Sequence, residues 1–155
     1  MESVDSNIIS TLTGDPLNLS IVLKNLQNSS NLHPELVVAL RRQVFSIAPH
    51  SLEIYQILAD WILQMGEPLI AYDLVAEGLQ QWPQDYNLKQ LMALALLNSG
   101  AVQRAYQLLL QLQKQGHQNA KTIAMLGRIY KDMAIQAQLH EEKQIYLVSR
   151  NTPCS

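Results

Sequence analysis

The sequence has almost no cysteine, little charge and no concentration of positive charge. Cys154 is the sole cysteine among 155 residues, so no internal disulfide can form and a reducing compartment is expected. Placed at the end of the chain, it reads as a bystander in a tail rather than a nucleophile. Charged residues are only 15% and the formal net charge is -2. With no basic cluster, nucleic acid and anionic membrane surfaces lack the electrostatic footprint they need. No uninterrupted apolar run approaches the ~20 residues of a membrane helix. The opening Met1-Glu2-Ser3-Val4-Asp5 is acidic where a signal peptide is basic. The expectation is a cytoplasmic protein without membrane or nucleic-acid partners. Strand alternation of useful length is missing as well.

Constellations that carry chemistry are equally scarce. His140-Glu141-Glu142 is followed by Gln144, where a zinc-protease helix needs its second histidine. His33, His50 and His117 each stand in a turn beside Pro or Gly and read as solvated. No cysteine pair suits zinc, and no Gly-rich loop suits a phosphate. Asp60, Glu67, Asp73 and Glu77 come nearest to a carboxylate cluster, but Asp73 and Glu77 read as an outer helix face. Neither a catalytic group, a metal nor a cofactor is expected.

What the chain has is a period. Apolar residues are 48%, and glutamine fills much of the polar surface. Ala59, Gly66 and Ala71 recur thirty-four residues later as Ala93, Gly100 and Ala105; the same step from Ala93 reaches Gly127, and Pro49 precedes Pro83 by it. A helical pattern with this period signals a solenoid whose helix pairs bury their apolar faces against one another. The patterning predicts a short helix over residues 17–26 behind Asp15-Pro16, and another from Pro34 that stops before Pro49. Ser51 then caps a helix to about Met65, ended by Gly66, and Pro68 opens a partner helix that ends at Trp82-Pro83. The next pair spans about Asp85–Asn98 and Val102–Lys114. A third begins near Asn119, is expected to turn around Met133-Ala134, and returns from Ile135 to about Ser149.

The residues Tyr55, Leu58, Ala59, Ile62, Ala71, Val75, Gly78 and Pro83, with Met92, Ala93, Leu96, Ala105, Leu109 and Leu112 one step on, resemble the tetratricopeptide repeat family. Ile123, Leu126, Gly127 and Tyr130 continue the pattern, whereas Leu139, Lys143, Tyr146 and Asn151 depart from it. The resemblance implies an all-α, right-handed solenoid of antiparallel helix pairs: about three repeats at 52–85, 86–119 and 120–150, behind a degenerate N-terminal helix pair. Residues 16–150 then form the repeat domain, 1–15 a flexible lead-in and 151–155 a tail. Small residues where helix axes cross, among them Ala59, Ala71, Gly78, Ala93, Ala105 and Gly127, permit the close approach such packing needs.

The resemblance also implies a function and a site. Such solenoids bind a protein or peptide on the concave face built from the first helix of each pair. Mapped here, that face carries Glu53, Gln56, Asp60, Leu63 and Gln64; then Asn87, Gln90, Leu94, Leu97 and Asn98; then Lys121, Ala124, Arg128, Lys131 and Asp132. It would run from acidic, through neutral with exposed leucines, to basic, with Gln90 and Asn98 holding peptide amides and Lys121, Arg128 and Lys131 meeting an acidic end. Glu53, Gln56 and Asp60 stand where the family's carboxylate clamp places Lys and Asn, which disfavours chaperone C-terminal tails. The leading expectation is an interaction scaffold, a module of a larger or oligomeric protein. Two alternatives are a small chaperone similar in length and architecture to type III secretion chaperones, and the regulatory domain of an enzyme. Leu126 to Asp132 resembles a segment of bacterial signalling proteins of this family. No polar capping helix follows Arg150, so the expectation is either that another chain covers the C-terminal edge, by self-association, or that residues have been cut away.

Overall fold

A computed structural model describes residues 50–151 of the chain, together with Glu35, Val37, Ala39, Arg41, Arg42 and Phe45, which are helical. The expected lead-in, the helix over 17–26 and residues 152–155 of the expected tail lie outside the described residues, while Asn151 is helical. Over residues 50–151 five helices follow one another: α1 (Leu52–Gln64), α2 (Pro68–Gln81), α3 (Tyr86–Asn98), α4 (Val102–Lys114) and α5 (Ala120–Asn151). Each packs on its neighbour in sequence, α1 also packs on α3, and α3 on α5. That is the layering of a helical-repeat solenoid, with α1, α3 and α5 side by side.

The turns follow from glycine. Gly66, Gly100 and Gly116 have φ of 83°, 89° and 86°, a region that costs residues with a Cβ roughly 1–2 kcal/mol. After α1, α3 and α4 the same pair of bonds closes the end. Gly66 N–H donates to Leu63 and Glu67 N–H to Ile62; Gly100 pairs with Leu97 and Ala101 with Leu96; Gly116 pairs with Gln113 and His117 with Leu112. These bonds satisfy carbonyls that the helix end would leave open. At the other end, Asp85 Oδ1 accepts from Leu88 N–H at 2.8 Å and Asn119 Oδ1 from Thr122 N–H at 3.0 Å, capping α3 and α5. Ser51 holds the cap position of α1 but makes no side-chain cap bond.

The core is continuous from pair to pair. Ile54, Tyr55, Leu58, Ala59 and Ile62 of α1 pack with Ala71, Leu74 and Val75 of α2 and with Leu88 and Ala95 of α3. Ala93, Leu96 and Leu97 of α3 pack with Ala105, Leu109 and Leu112 of α4 and with Leu126 and Ile129 of α5. Ala59, Ala71, Ala93 and Ala105 are fully buried. Tyr55 ties the first pair to what precedes it: its ring lies 4.4 Å from Phe45 and 5.7 Å from Trp82. Its hydroxyl donates to Glu77 at 3.0 Å and accepts from Gln81 at 3.3 Å. Glu77, expected on a solvated outer face, also takes a 2.6 Å bond from Arg41. Burial, and then the bond to the Glu77 carboxylate, push the Tyr55 hydroxyl up to about 12.

The third pair departs from expectation. No turn forms at Met133-Ala134; α5 runs unbroken for 32 residues. The position thirty-four after Gly100 is Ala134, and the position of Pro68 becomes Gln136. Alanine is the best helix former and resists positive φ, so nothing there stops the helix. Gly127, expected at a helix crossing, is exposed, and a Cβ built on it meets no atom within 4 Å. The crossing needed a helix returning from 135, and none returns.

Candidate functional site

One face of α1, α3 and α5 forms a half-open cavity of about 470 Å³. From α1 come Gln56 and Asp60, and from α5 Lys121, Ala124 and Met125. Between them α3 supplies Asn87, Gln90, Leu91 and Leu94. Leucine, methionine and alanine make an apolar floor. A carboxylate from Asp60 stands on the α1 side and an ammonium from Lys121 on the α5 side.

Seven of the expected groove residues, Gln56, Asp60, Asn87, Gln90, Leu94, Lys121 and Ala124, therefore line one cavity. Glu53, Gln64, Asn98, Arg128 and Lys131 are exposed outside it. The leucines differ from expectation too. Leu63 and Leu97 are buried in the core at 6% and 4% exposure, and only Leu94 is half open. Leu91 and Met125 were missed. Their signal was present, since each follows a groove residue, Gln90 or Ala124, by one position and the two are thirty-four apart.

The polar residues of the cavity are largely occupied with one another. Gln56 Nε2 donates to Asp85 Oδ1 at 3.1 Å. One repeat on, Gln90 Nε2 donates to Asn119 Oδ1 at 2.6 Å. Each glutamine thus grips the cap residue of the next first helix, and the cap oxygen serves both bonds. Gln90 is 7% exposed, and its amide nitrogen also reaches Thr122 Oγ1 at 2.9 Å and Tyr86 Oη at 2.8 Å. A buried amide with these partners positions α3 against α5. Its amide nitrogen is occupied within the fold, where its place in the repeat suggested a hold on the amides of a peptide. The register after Gln56 and Gln90 falls on Ala124, where the series of locks ends.

Two further expected contacts are spent internally. Arg128 donates to Asn98 Oδ1 at 3.1 Å, linking α5 to α3 beside the cavity. Asp60 accepts from Gln64 at 2.9 Å. His117 stacks on Tyr86 with centroids 4.4 Å apart, and His50 shares a 2.9 Å bond with Gln81, so neither is merely solvated. Among the described residues no group of three His, Cys, Asp or Glu could hold a metal ion, and no helix is long and apolar enough to cross a membrane. The cavity offers shape, an apolar floor and opposed charges, which suits recognition of a side chain.

The family model described as Tetratricopeptide Repeats-Sensor matches residues 71–149, about half of the chain. It spans most of α2, all of α3 and α4 and nearly all of α5, and so includes the Asn87, Gln90, Leu94 and Lys121 part of the cavity. Comparisons with curated proteins and with solved structures gave no match.

Proposed function

This chain belongs to the tetratricopeptide repeats-sensor family, and from that premise we propose that it is an interaction module which binds a peptide or partner helix across α1, α3 and α5. The observation that carries this reading is the cavity itself, lined from three successive first helices at equivalent registers. An apolar side chain of the partner enters over Leu91, Leu94 and Met125, and its desolvation drives the contact. Asn87 is the polar group left to meet a partner amide. Lys121 favours an acidic group on one side of the anchor. Arg128, Asn98 and Gln90 shape the groove instead of contacting the ligand.

Selection from a random peptide display library on the wild-type chain tests this, followed by affinity measurement of the enriched peptides on variants. Enriched sequences should share an apolar anchor with an acidic neighbour. Lys121→Glu should weaken them roughly tenfold, about 1.4 kcal/mol, and Leu94→Arg should abolish binding by filling the floor with charge. Peptides that bind both variants as tightly as wild type would remove the cavity from the binding surface.

A further inference from the structure

Two pairs of helices fold back on themselves, and the third register does not. In the first pair Ala59 and Ile62 pack in one cluster with Ala71, Leu74 and Val75. In the second, Ala93 and Leu96 pack with Ala105, Leu109 and Leu112. The same register on α5 holds Gly127 and Tyr130. Tyr130 is 51% exposed and Ile123, one turn before Gly127, is 57% exposed. Farther along α5, Leu139 and Tyr146 stand at the register of Ala105 and Leu112, the buried face of α4. They are 58% and 62% exposed. The two halves of a hairpin interface are both present and both at least half exposed, with the Tyr130 ring edge-on to Tyr106 of α4 at 5.8 Å between centroids.

They cannot meet within one chain while α5 is straight. At 1.5 Å per residue the helix extends roughly 48 Å, and its second half points away from the face its residues match. The turn that would bring it back depends, in the other two pairs, on Gly66 and Gly100 at positive φ; Ala134 holds that place and favours continued helix. A face whose matching segment exists in the chain, but is held out of reach by a rigid hinge, is satisfied by the same segment of another copy.

We propose that the third hairpin is completed between two chains: residues 135–148 of one copy lie on Ile123, Gly127 and Tyr130 of the other, and reciprocally, in a two-fold dimer with exchanged helices. The pairing does not depend on what the concave cavity binds, since Lys121, Ala124 and Met125 lie on a different side of α5. Glu142 and Lys143 occupy the register of the buried Leu74 and Val75, so the exchanged seam carries charge that a closed pair lacks. The Lys143 stem can still cover apolar surface with its ammonium at the edge. The dimer is therefore reversible and dilutes to monomer.

Sedimentation velocity across a hundredfold concentration range, joined to a designed disulfide, tests the exchange. In the first pair the equivalent contact is Tyr55 with Gly78, where a Cβ would sit 3.0 Å from the tyrosine ring. Ile123→Cys with Tyr146→Cys, in a Cys154→Ser background, should oxidise to a covalent species of twice the 17.5 kDa chain mass. Adding Ala134→Gly and Gln136→Pro, which restore the turn residues of the first pair, should convert it to a monomer bridged within the chain. The unsubstituted protein should show the same dimer without oxidation. A wild-type monomer at every concentration, a bridge that forms within the chain before the turn is restored, or a dimer in which the two cysteines never pair would each overturn the proposal.

Discussion

Adding one methyl group to Gly78 and to Gly127 should change stability in opposite directions. Both glycines lie inside helices, where alanine is favoured by about 1 kcal/mol. At Gly78 the new Cβ would stand 3.0 Å from Tyr55 Cδ1 and 3.1 Å from Leu88 Cδ1. The Tyr55 ring cannot yield, because Phe45 and Trp82 hold its faces and edges and Glu77 and Gln81 hold its hydroxyl. Overpacking of this kind costs ~1–3 kcal/mol. The helix gain offsets part of it and leaves a net loss of about 1 kcal/mol. At Gly127 no atom lies within 4 Å, so Gly127→Ala keeps the full gain of about 1 kcal/mol. Alanine also fits an exchanged hairpin there, since Ala59 and Ala93 hold that register in the other two pairs. The variants should differ by about 2 kcal/mol, or roughly 1 M in urea midpoint for a slope near 2 kcal/mol/M. Trp61 and Trp82 fluorescence reads the first pair, and far-UV circular dichroism reads α5. A Gly78→Ala protein at least as stable as wild type would refute the account of how α2 approaches Tyr55.

Gln90→Leu should cost ~1–3 kcal/mol, because it strips a buried donor from Asn119 and Thr122; faster amide exchange at the start of α5 is the expected readout. Gln56→Leu should cost less, since Gln56 is only half-buried and Asp85 keeps its bond from Leu88. The Tyr55 hydroxyl, pushed up to about 12, favours folding while neutral. Its contribution is whole below about pH 10 and is lost as pH rises through 12. Relative to Tyr55→Phe, wild type should lose about 2 kcal/mol between pH 9 and 12. Parallel urea midpoints for the two proteins across that range would refute the assignment.

The sequence by itself determined the unit and its period. The small residues Ala59, Ala71, Ala93 and Ala105, the glycines at Gly66 and Gly100, and Asp85 and Asn119 at the helix starts are local requirements of close packing, positive φ and capping. Each must be met by the residue in place, so each can be read there. The unbroken α5 was legible on the same terms, because Ala134 and Gln136 replace the residues that make a turn. A repeat pattern carried past its evidence concealed it. Tertiary structure alone decided how the groove residues are used. Gln90 and Gln56 occupy one register and grip equivalent cap residues, yet only Gln90 is buried, because it also meets Tyr86 and Thr122 where the preceding repeat places Leu52 and Leu88. Likewise Arg128 is drawn to Asn98 and Leu97 into the core. Which side chain is spent on the fold and which is left for a partner depends on the rotation between repeats, a sum of many packing contacts that no single residue encodes.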